Sequence, residues 1–517
     1  MDMGIPSYFR NILRTYPGCI GSVKGEVLCF DFNCLIYRCL KSMPEYVDHD
    51  VWEGLLLEEI KKTVMEVWRE AGSPKTVLIA VDGVVPMAKI RQQRVRRFKS
   101  AWLKSQGPKE ATWDSNSITP GTRFMEKLDF MLGELCASRK WILSGVAEEG
   151  EGEHKIMRWL RSTRPSGKII VYGLDADLIL LSMLVGEEID SEIHLMREKQ
   201  EFGGKHIDTG VQTYQFMNIR EFQKRLGIVG GEGGGGGGEV LNYIALMSLM
   251  GNDFLPHSIT HKLSDDGHDF VIQELKGLRA SGNWLIHDGK VQMNILVDIF
   301  KRWSQGEDDR ITYMIKKKQD ARRSHSECKE SEQETLPLEW AVENKLLVKG
   351  RLSDSWRDIY WSWIHPHGTL DKSYICEEYV KGFMWILDYY RGLPVDRTWM
   401  FPAWIPPLWS DLAAFAQGSL RSDLSREGSL CVDLPREGSI VHVPLHLPLQ
   451  PQEQLAMVLP VESWGLIRDP ALRRLPILAP QMWPKSFGFF SLGRKWLWEC
   501  EALIPVLTAA RLRQIVS

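Results

Sequence analysis

Up to about residue 260 the chain alternates short apolar runs with longer stretches whose apolar positions recur at helical spacing. The clearest runs are residues 27–32 (VLCFDF), 76–81 (TVLIAV) and 168–172 (KIIVY). Each is too short for a helix, is rich in β-branched or aromatic residues, and is followed by amphipathic sequence, so each predicts a buried strand. Strands alternating with helices predict an α/β fold built on a parallel sheet.

The pattern breaks in three places. Residues 230–238 (GGEGGGGGG) offer no side chains to pack and predict a flexible surface loop. Residues 304–335 are rich in charge, carry Lys316-Lys317-Lys318, and read as a helix or linker leaving the first domain. From Leu336 onward the chain is dense in Trp, Tyr and Pro. Within that part LSREGSL (424–430) and LPREGSI (434–440) form a ten-residue tandem. Two copies are too few for a solenoid and predict a loop expansion over about 419–442. The predicted division is therefore an α/β core over 1–262, a variable helical or linker segment over 263–335, and a second, mostly helical region over 336–517 packed on the core.

Composition narrows the class. A net charge of −3 over 517 residues does not announce a nucleic-acid binder, so that reading must rest on local clusters. The nine cysteines include no CxxC pair, and Cys29, Cys34 and Cys39 flank an apolar run. They read as core residues of a protein in a reducing compartment. No apolar stretch follows the start, and no run approaches the length of a membrane span. The expectation is a soluble intracellular protein, cytoplasmic rather than nuclear, monomeric and without a membrane partner. The twenty tryptophans are expected mainly as core, with a few as base-stacking platforms.

Acidic residues fall where the runs end. Asp31 closes the first, Asp82 follows the second, and Asp175 and Asp177 follow the third. The carboxyl ends of parallel strands open on the crevice where α/β folds bind ligands. A lone Asp there is commonly a helix N-cap, but four of them at three successive ends favour a site. Glu151 and Glu153 lie in EGEGEH (149–154), where the interrupting glycines let both face one site. Asp253, in MGNDFLP (250–256), sits among apolar residues and needs a buried partner. Clustered carboxylates stay ionised only beside cations. All-oxygen ligands select magnesium or manganese over zinc, and two such ions about 3.5–4 Å apart would clamp a scissile phosphate. His154 is assigned to helix capping or to contact behind the ligands.

Directly after Asp82, residues 86–104 (PMAKIRQQRVRRFKSAWLK) hold seven basic residues and no acid. Lys89, Gln93, Arg96 and Arg97 share one helical face at i, i+4, i+7 and i+8. Beside a metal site such a face makes a pocket for a terminal phosphate. Arg91 and Arg94 point elsewhere, toward backbone phosphates or solvent.

Seven segments follow one another along the first half: GIPSYFR (4–10), FDFN (30–33), DGVVPMAKIRQQRVRRF (82–98), ITPGTRFM (118–125), GEGEHKIM (150–157), YGLDADLI (172–179) and GNDFLPH (251–257). In this order they resemble the Xrn family of 5′→3′ exoribonucleases. CEEYVKGFMWILDYYRG (376–392), EQLAMVLP (453–460) and residues 483–505 are similar to the family's second conserved region. The resemblance implies a PIN/FEN-like core in which Asp31, Asp82, Glu151, Glu153, Asp175, Asp177 and Asp253 hold two magnesium ions. It implies a 5′-monophosphate pocket made by Lys89, Gln93, Arg96 and Arg97, which rejects capped and triphosphorylated ends by size. It also implies processive degradation of single-stranded RNA to nucleoside monophosphates, with the first base held between two rings.

Those rings carry over as Tyr37, where the family has a histidine, and Trp385. The expectation is a chain without the extra domains of the long members, similar in extent to compact members such as those of large DNA viruses. Met1-Asp2 precedes the family-like Met3-Gly4, which makes Met3 a second candidate start. The alternatives are a FEN-like structure-specific nuclease acting on DNA flaps, which shares the acids but not the 82–98 block, and an inactive RNA-binding protein on a nuclease fold, which would be expected to lack acids present here.

Overall fold

The computed structural model describes residues 8–106, 112–199, 214–228, 236–263, 265–325, 346–364, 370–424, 448–494 and 499–517. Residues 4–7 of the opening motif, the Gly run through 235, and the tandem beyond Leu424 lie outside them.

The three apolar runs form strands. In chain order the central sheet comprises β1 (Ile20–Gly21), β2 (Val27–Asp31), β3 (Thr76–Ala80), β4 (Ile142–Ser144), β5 (Ile169–Tyr172), β6 (Ile193–Glu198) and β7 (Tyr214–Asn218). Their order across the sheet is β1-β7-β6-β5-β2-β3-β4. The five strands from β2 to β6 pair in parallel, while β7 joins β6 and β1 antiparallel, so the sheet is mixed at that edge. From β2 the chain steps outward to β3 and β4, then crosses back to β5 on the other side. The switch point lies between β2 and β5, where α/β sheets open a crevice at their carboxyl ends.

The strands are apolar on both faces because helices cover both. Side chains alternate across a strand. Val27 and Cys29 therefore enter one core with Leu78, Ala80, Ile169 and Val171, while Leu28 and Phe30 enter another with Val77, Ile79, Ile170 and Tyr172. The second core is closed by helices Phe32–Lys41, His49–Glu70 and Arg123–Arg139. The first continues without a break through helices Met87–Gln106 and Asp177–Glu188 into the C-terminal half, as far as Leu512. Cys29, Cys34 and Cys39 are buried and free. Among the described residues no helix is long and apolar enough to cross a membrane.

Three expectations change. Gly236–Leu249 is a helix, so the end of the glycine run begins an element instead of a loop. The segment assigned as a variable helical or linker segment after residue 262 is helical over much of its described part, and it packs instead of merely linking. Helices Gly267–Ser281 and Met293–Ser304 place Leu275, Phe300 and Trp303 in the main core, and their apolar spacing outweighs the charged flank. The helix Trp409–Leu424 runs into the stretch assigned to loop expansion.

Arg94 reaches neither solvent nor a phosphate site, and Arg91 is only half-buried. Arg94 is 3% exposed and donates to the carbonyls of Met457 (2.6 Å) and Met482, with its guanidinium 4.5 Å from the Phe98 ring centre. Arg91 donates to the Ala403 carbonyl. A guanidinium's fork of donors can satisfy several buried carbonyls at once, so this face of the basic helix fastens the C-terminal half to the core.

Candidate active site

Read across the sheet, the carboxyl ends of β5, β2, β3 and β4 present, in turn, Asp175 with Asp177, Asp31, Asp82, and Glu151 with Glu153. Asp253 arrives from the loop beyond Gly236–Leu249. Asp31, Asp82, Glu151, Glu153, Asp175 and Asp253 line one cavity of about 50 Å³, together with Tyr37, Lys89, Gln93, Arg96 and Arg97. That volume accepts a few water-sized or ion-sized occupants. Asp177 does not line it; it is 1% exposed, and its backbone N–H lies 3.4 Å from Asp175 Oδ1. A larger cavity of about 690 Å³ lies at the far end of helix Asp177–Glu188, beside Glu187, Ile193 and Arg220, and none of the seven acids lines it.

Local structure explains why these carboxylates face inward. Asp31 is the N-cap residue of helix Phe32–Lys41, and Glu151 that of helix Gly152–Thr163, yet neither side chain makes a capping bond. Their oxygens remain available, and the positive ends of the two helices favour their charge. The chain turns from extended to helical at Glu151, so Glu151 and Glu153 converge instead of diverging as they would on a continuous helix. Asn33 Nδ2 (3.0 Å) and the Gly152 N–H (2.7 Å) orient Asp82. The Asp253 turn depends on Gly251 at φ +99°, where a Cβ would lie 2.3 Å from His257 Cα. Asn252 Oδ1 closes that turn by accepting from the N–H groups of Phe254 and Leu255.

Gly152 is equally constrained: a Cβ there would stand 2.8 Å from both the Ala80 carbonyl oxygen and Asp31 Oδ1. Gly152→Ala is therefore expected to push the helix start off β3 and cost about 100-fold in turnover. The fold should survive, as circular dichroism would record. Unchanged metal affinity and RNA turnover in this variant would contradict the close packing.

Burial dominates the electrostatics. It pushes the carboxyls of Asp31, Glu153 and Asp177 well above the ordinary carboxylate range, and neighbouring acids add to the rise. Asp175 is raised to about 6, first by burial and then by Asp253, while Glu151 is raised by burial against the pull of Lys89. For Asp253 burial is outweighed by Lys89, and its carboxyl is held low. Lys89 Nζ lies 2.5 Å from Glu151 and 2.7 Å from Asp253, so a single ammonium serves two of the seven acids. Glu153 Oε2 and both Asp177 oxygens are buried without hydrogen-bond partners. Tyr390 lies near enough to Asp177 to favour its ionised form, although no hydrogen bond of good geometry joins them. Unpartnered buried carboxylate oxygens of this kind fit hard divalent cations.

Of the proposed phosphate ligands, Gln93 is 7% exposed with an unpartnered Oε1, and Arg97 donates to Thr119 Oγ1 (2.6 Å). Lys89 is turned into the acids, and Gln92, which the helical-face argument passed over, donates to Asp253 (3.2 Å). Tyr37 lines the cavity as a half-buried ring. Trp385 does not, which corrects its assignment as a stacking platform. It is 7% exposed and packed against Tyr389, Phe254 and Trp399, with its indole N–H on the Asp396 carbonyl. A ring with neighbours of its own has no open face for a base.

His154 makes no capping bond; its ring lies 3.8 Å from that of Tyr389, and burial holds it neutral. Its ring nitrogen lies within 4.8 Å of carboxylate oxygens of Glu151 and Glu153, so it joins them as a possible ligand group. The C-terminal half also reaches the site, which the sequence pattern does not signal. The Tyr389 hydroxyl donates to Glu151 Oε1 (2.9 Å), and Gln454 lines the cavity while accepting from the Val85 N–H (2.9 Å).

Residues 3–199 match the model of the family described as XRN 5′-3′ exonuclease N-terminus. The chain is 26% identical to human 5′-3′ exoribonuclease 1 in an alignment that covers all of this chain and 34% of the human protein. It is 28% identical to 5′-3′ exoribonuclease 1 of Saccharomyces cerevisiae over 57% of this chain and 22% of that protein. With 5′-3′ exoribonuclease 2 of Kluyveromyces lactis identity reaches 34%, over 36% of this chain and 25% of the relative. The chain thus spans about a third or less of the length of these curated relatives. Over residues 3–199 the chain is thus similar to the N-terminus of XRN 5′-3′ exonucleases.

Proposed function

We propose that the protein is a 5′→3′ exoribonuclease that hydrolyses single-stranded RNA bearing a 5′-monophosphate and releases nucleoside monophosphates. The observation that carries this reading is one cavity lined both by buried carboxylates and by a cationic helix face. The XRN nuclease domain implies divalent-metal chemistry, and we assign the metal as two magnesium ions. Asp31, Asp82, Glu151, Glu153, Asp175, Asp177 and Asp253 would hold them. When bound, such ions activate water and stabilise the leaving oxygen of an in-line displacement.

The chain's own groups bind and orient. Gln93, Arg96 and Arg97 form the donor wall for the terminal phosphate, and Lys89 joins them when its carboxylates are satisfied by other cations. Guanidinium groups match phosphate oxygens in geometry and charge. Tyr37 offers a π face for the first base. The acids supply the cutting chemistry and the basic helix selects the end that is cut.

Matched RNAs with 5′-monophosphate, 5′-triphosphate or cap, with magnesium or chelator, test this reading, with a DNA flap as a further substrate. The expected result is mononucleotide release from the monophosphate RNA alone, and only with metal. Internal cutting of the flap with the monophosphate RNA left intact would overturn it in favour of a structure-specific nuclease.

A further inference from the structure

One helix of the C-terminal half, Lys372–Arg391, ends against the acid cluster. Its last turn carries two consecutive tyrosines, the first of which addresses an acid. Tyr389 donates to Glu151 Oε1 at 2.9 Å. Tyr390 follows it, fully buried, and its hydroxyl has no hydrogen-bond partner.

The rings are fixed from several sides. Tyr389 lies 3.8 Å from His154 and 4.8 Å from Trp385, centre to centre. Phe254, the residue after Asp253, packs against Trp385 (5.2 Å) and Tyr389 (5.4 Å). Arg161 ties the end of this helix to the rest: it donates to the Tyr390 carbonyl (3.1 Å) and pairs with Glu188 (2.5 Å). Helices Gly152–Thr163, Asp177–Glu188 and Lys372–Arg391 thus share one arginine.

We propose that Tyr389 is a positioning residue that orients Glu151 for cation binding, so that the C-terminal half completes the nuclease centre. The inference rests on the metal-dependent nuclease reading above. A Tyr hydroxyl suits the task because it occupies one lone pair of a carboxylate and leaves the others for a cation. The stacked rings hold the hydroxyl still, as partners behind metal ligands commonly do.

The test uses the full chain and the variant Tyr389→Phe, which keeps the ring and loses only the hydroxyl. Tyr360→Phe is the control, because that hydroxyl is also buried and hydrogen-bonded, to the Pro406 carbonyl, in a part of the core that does not line the site. Magnesium affinity is read by titration calorimetry, and kcat and KM on 5′-phosphorylated RNA separately. Tyr389→Phe should lose about 10- to 100-fold in metal affinity and in kcat, with KM for RNA unchanged and kcat partly restored by excess magnesium. Tyr360→Phe should keep wild-type values. Wild-type magnesium affinity in Tyr389→Phe would overturn the proposal, as would an equal loss in Tyr360→Phe. If the wild-type protein bound magnesium but left RNA intact, the nuclease reading would fail, while calorimetry still decided the role of Tyr389.

Discussion

Asp177→Asn is expected to abolish metal-dependent RNA degradation while making the metal-free protein more stable. Asp177 is 1% exposed and neither oxygen has a hydrogen-bond partner, so in the folded chain it is a cost unless a cation is present. Loss of one carboxylate ligand removes several kcal/mol of transition-state stabilisation, or about 1000-fold in rate. The neutral isostere removes the repulsion from Asp175 and Asp253 and should add roughly 1–2 kcal/mol of stability at neutral pH in chelator.

The pH dependence has a definite sign. Burial first, then neighbouring acids, raise the folded-state values of Asp31, Glu153 and Asp177, and Asp175 stands at about 6. A raised carboxyl binds its proton more tightly in the folded chain than in the unfolded one, so its contribution is fully present below about pH 4. It is lost as the pH rises through 6 and above. Scanning calorimetry of the wild-type protein in chelator should therefore show these acids lowering the melting temperature between pH 4 and 8, and the fall should be shallower in Asp177→Asn. Magnesium should flatten it in the wild type. Equal stability of the two proteins in chelator at pH 8 would contradict the assignment of Asp177 as a strained ligand.

Lys89→Met should have the largest effect on stability. Methionine retains much of the stem's packing but removes the ammonium that lies 2.5 Å from Glu151 and 2.7 Å from Asp253. Breaking a buried pair from one side leaves uncompensated charge and costs about 3–5 kcal/mol. The loss should appear in chelator near pH 7. It should shrink toward pH 3, because Asp253, although burial opposes it, is held low by Lys89 and contributes its stability only above the unfolded carboxylate range. Magnesium should recover more stability in the variant than in the wild type, since cations replace the missing charge. On RNA, Lys89→Met should weaken the preference for a 5′-phosphate over a 5′-hydroxyl. A variant that melts like the wild type in chelator would show that the ammonium is not the counter-charge of the cluster.

Much of the site follows from short-range pattern. A run such as VLCFD forms a strand because it is buried on both sides, and an acid closing it lies at the sheet's carboxyl edge wherever the strand falls in the order. Asp31, Asp82, Asp175 and Asp177 could be located in this way. The basic helix is similarly local, since its face is set by a periodicity within twenty residues. Glu151, Glu153 and Asp253 were more difficult, because their direction depends on a helix start at Gly152 and a left-handed turn at Gly251.

The sequence by itself determined that an α/β sheet would gather these acids at one edge, because apolar runs and strand-end residues are properties of neighbours along the chain. Only the tertiary structure decided what each acid meets. Lys89 lies 164 residues from Asp253, and Tyr389 lies 238 from Glu151. No periodicity spans such separations. The same packing turned Arg94 from a candidate phosphate contact into a fastening for the C-terminal half, and Trp385 from a base platform into a core ring. A side chain's type limits what it can bind, but burial against distant segments decides which of its possible partners it finds.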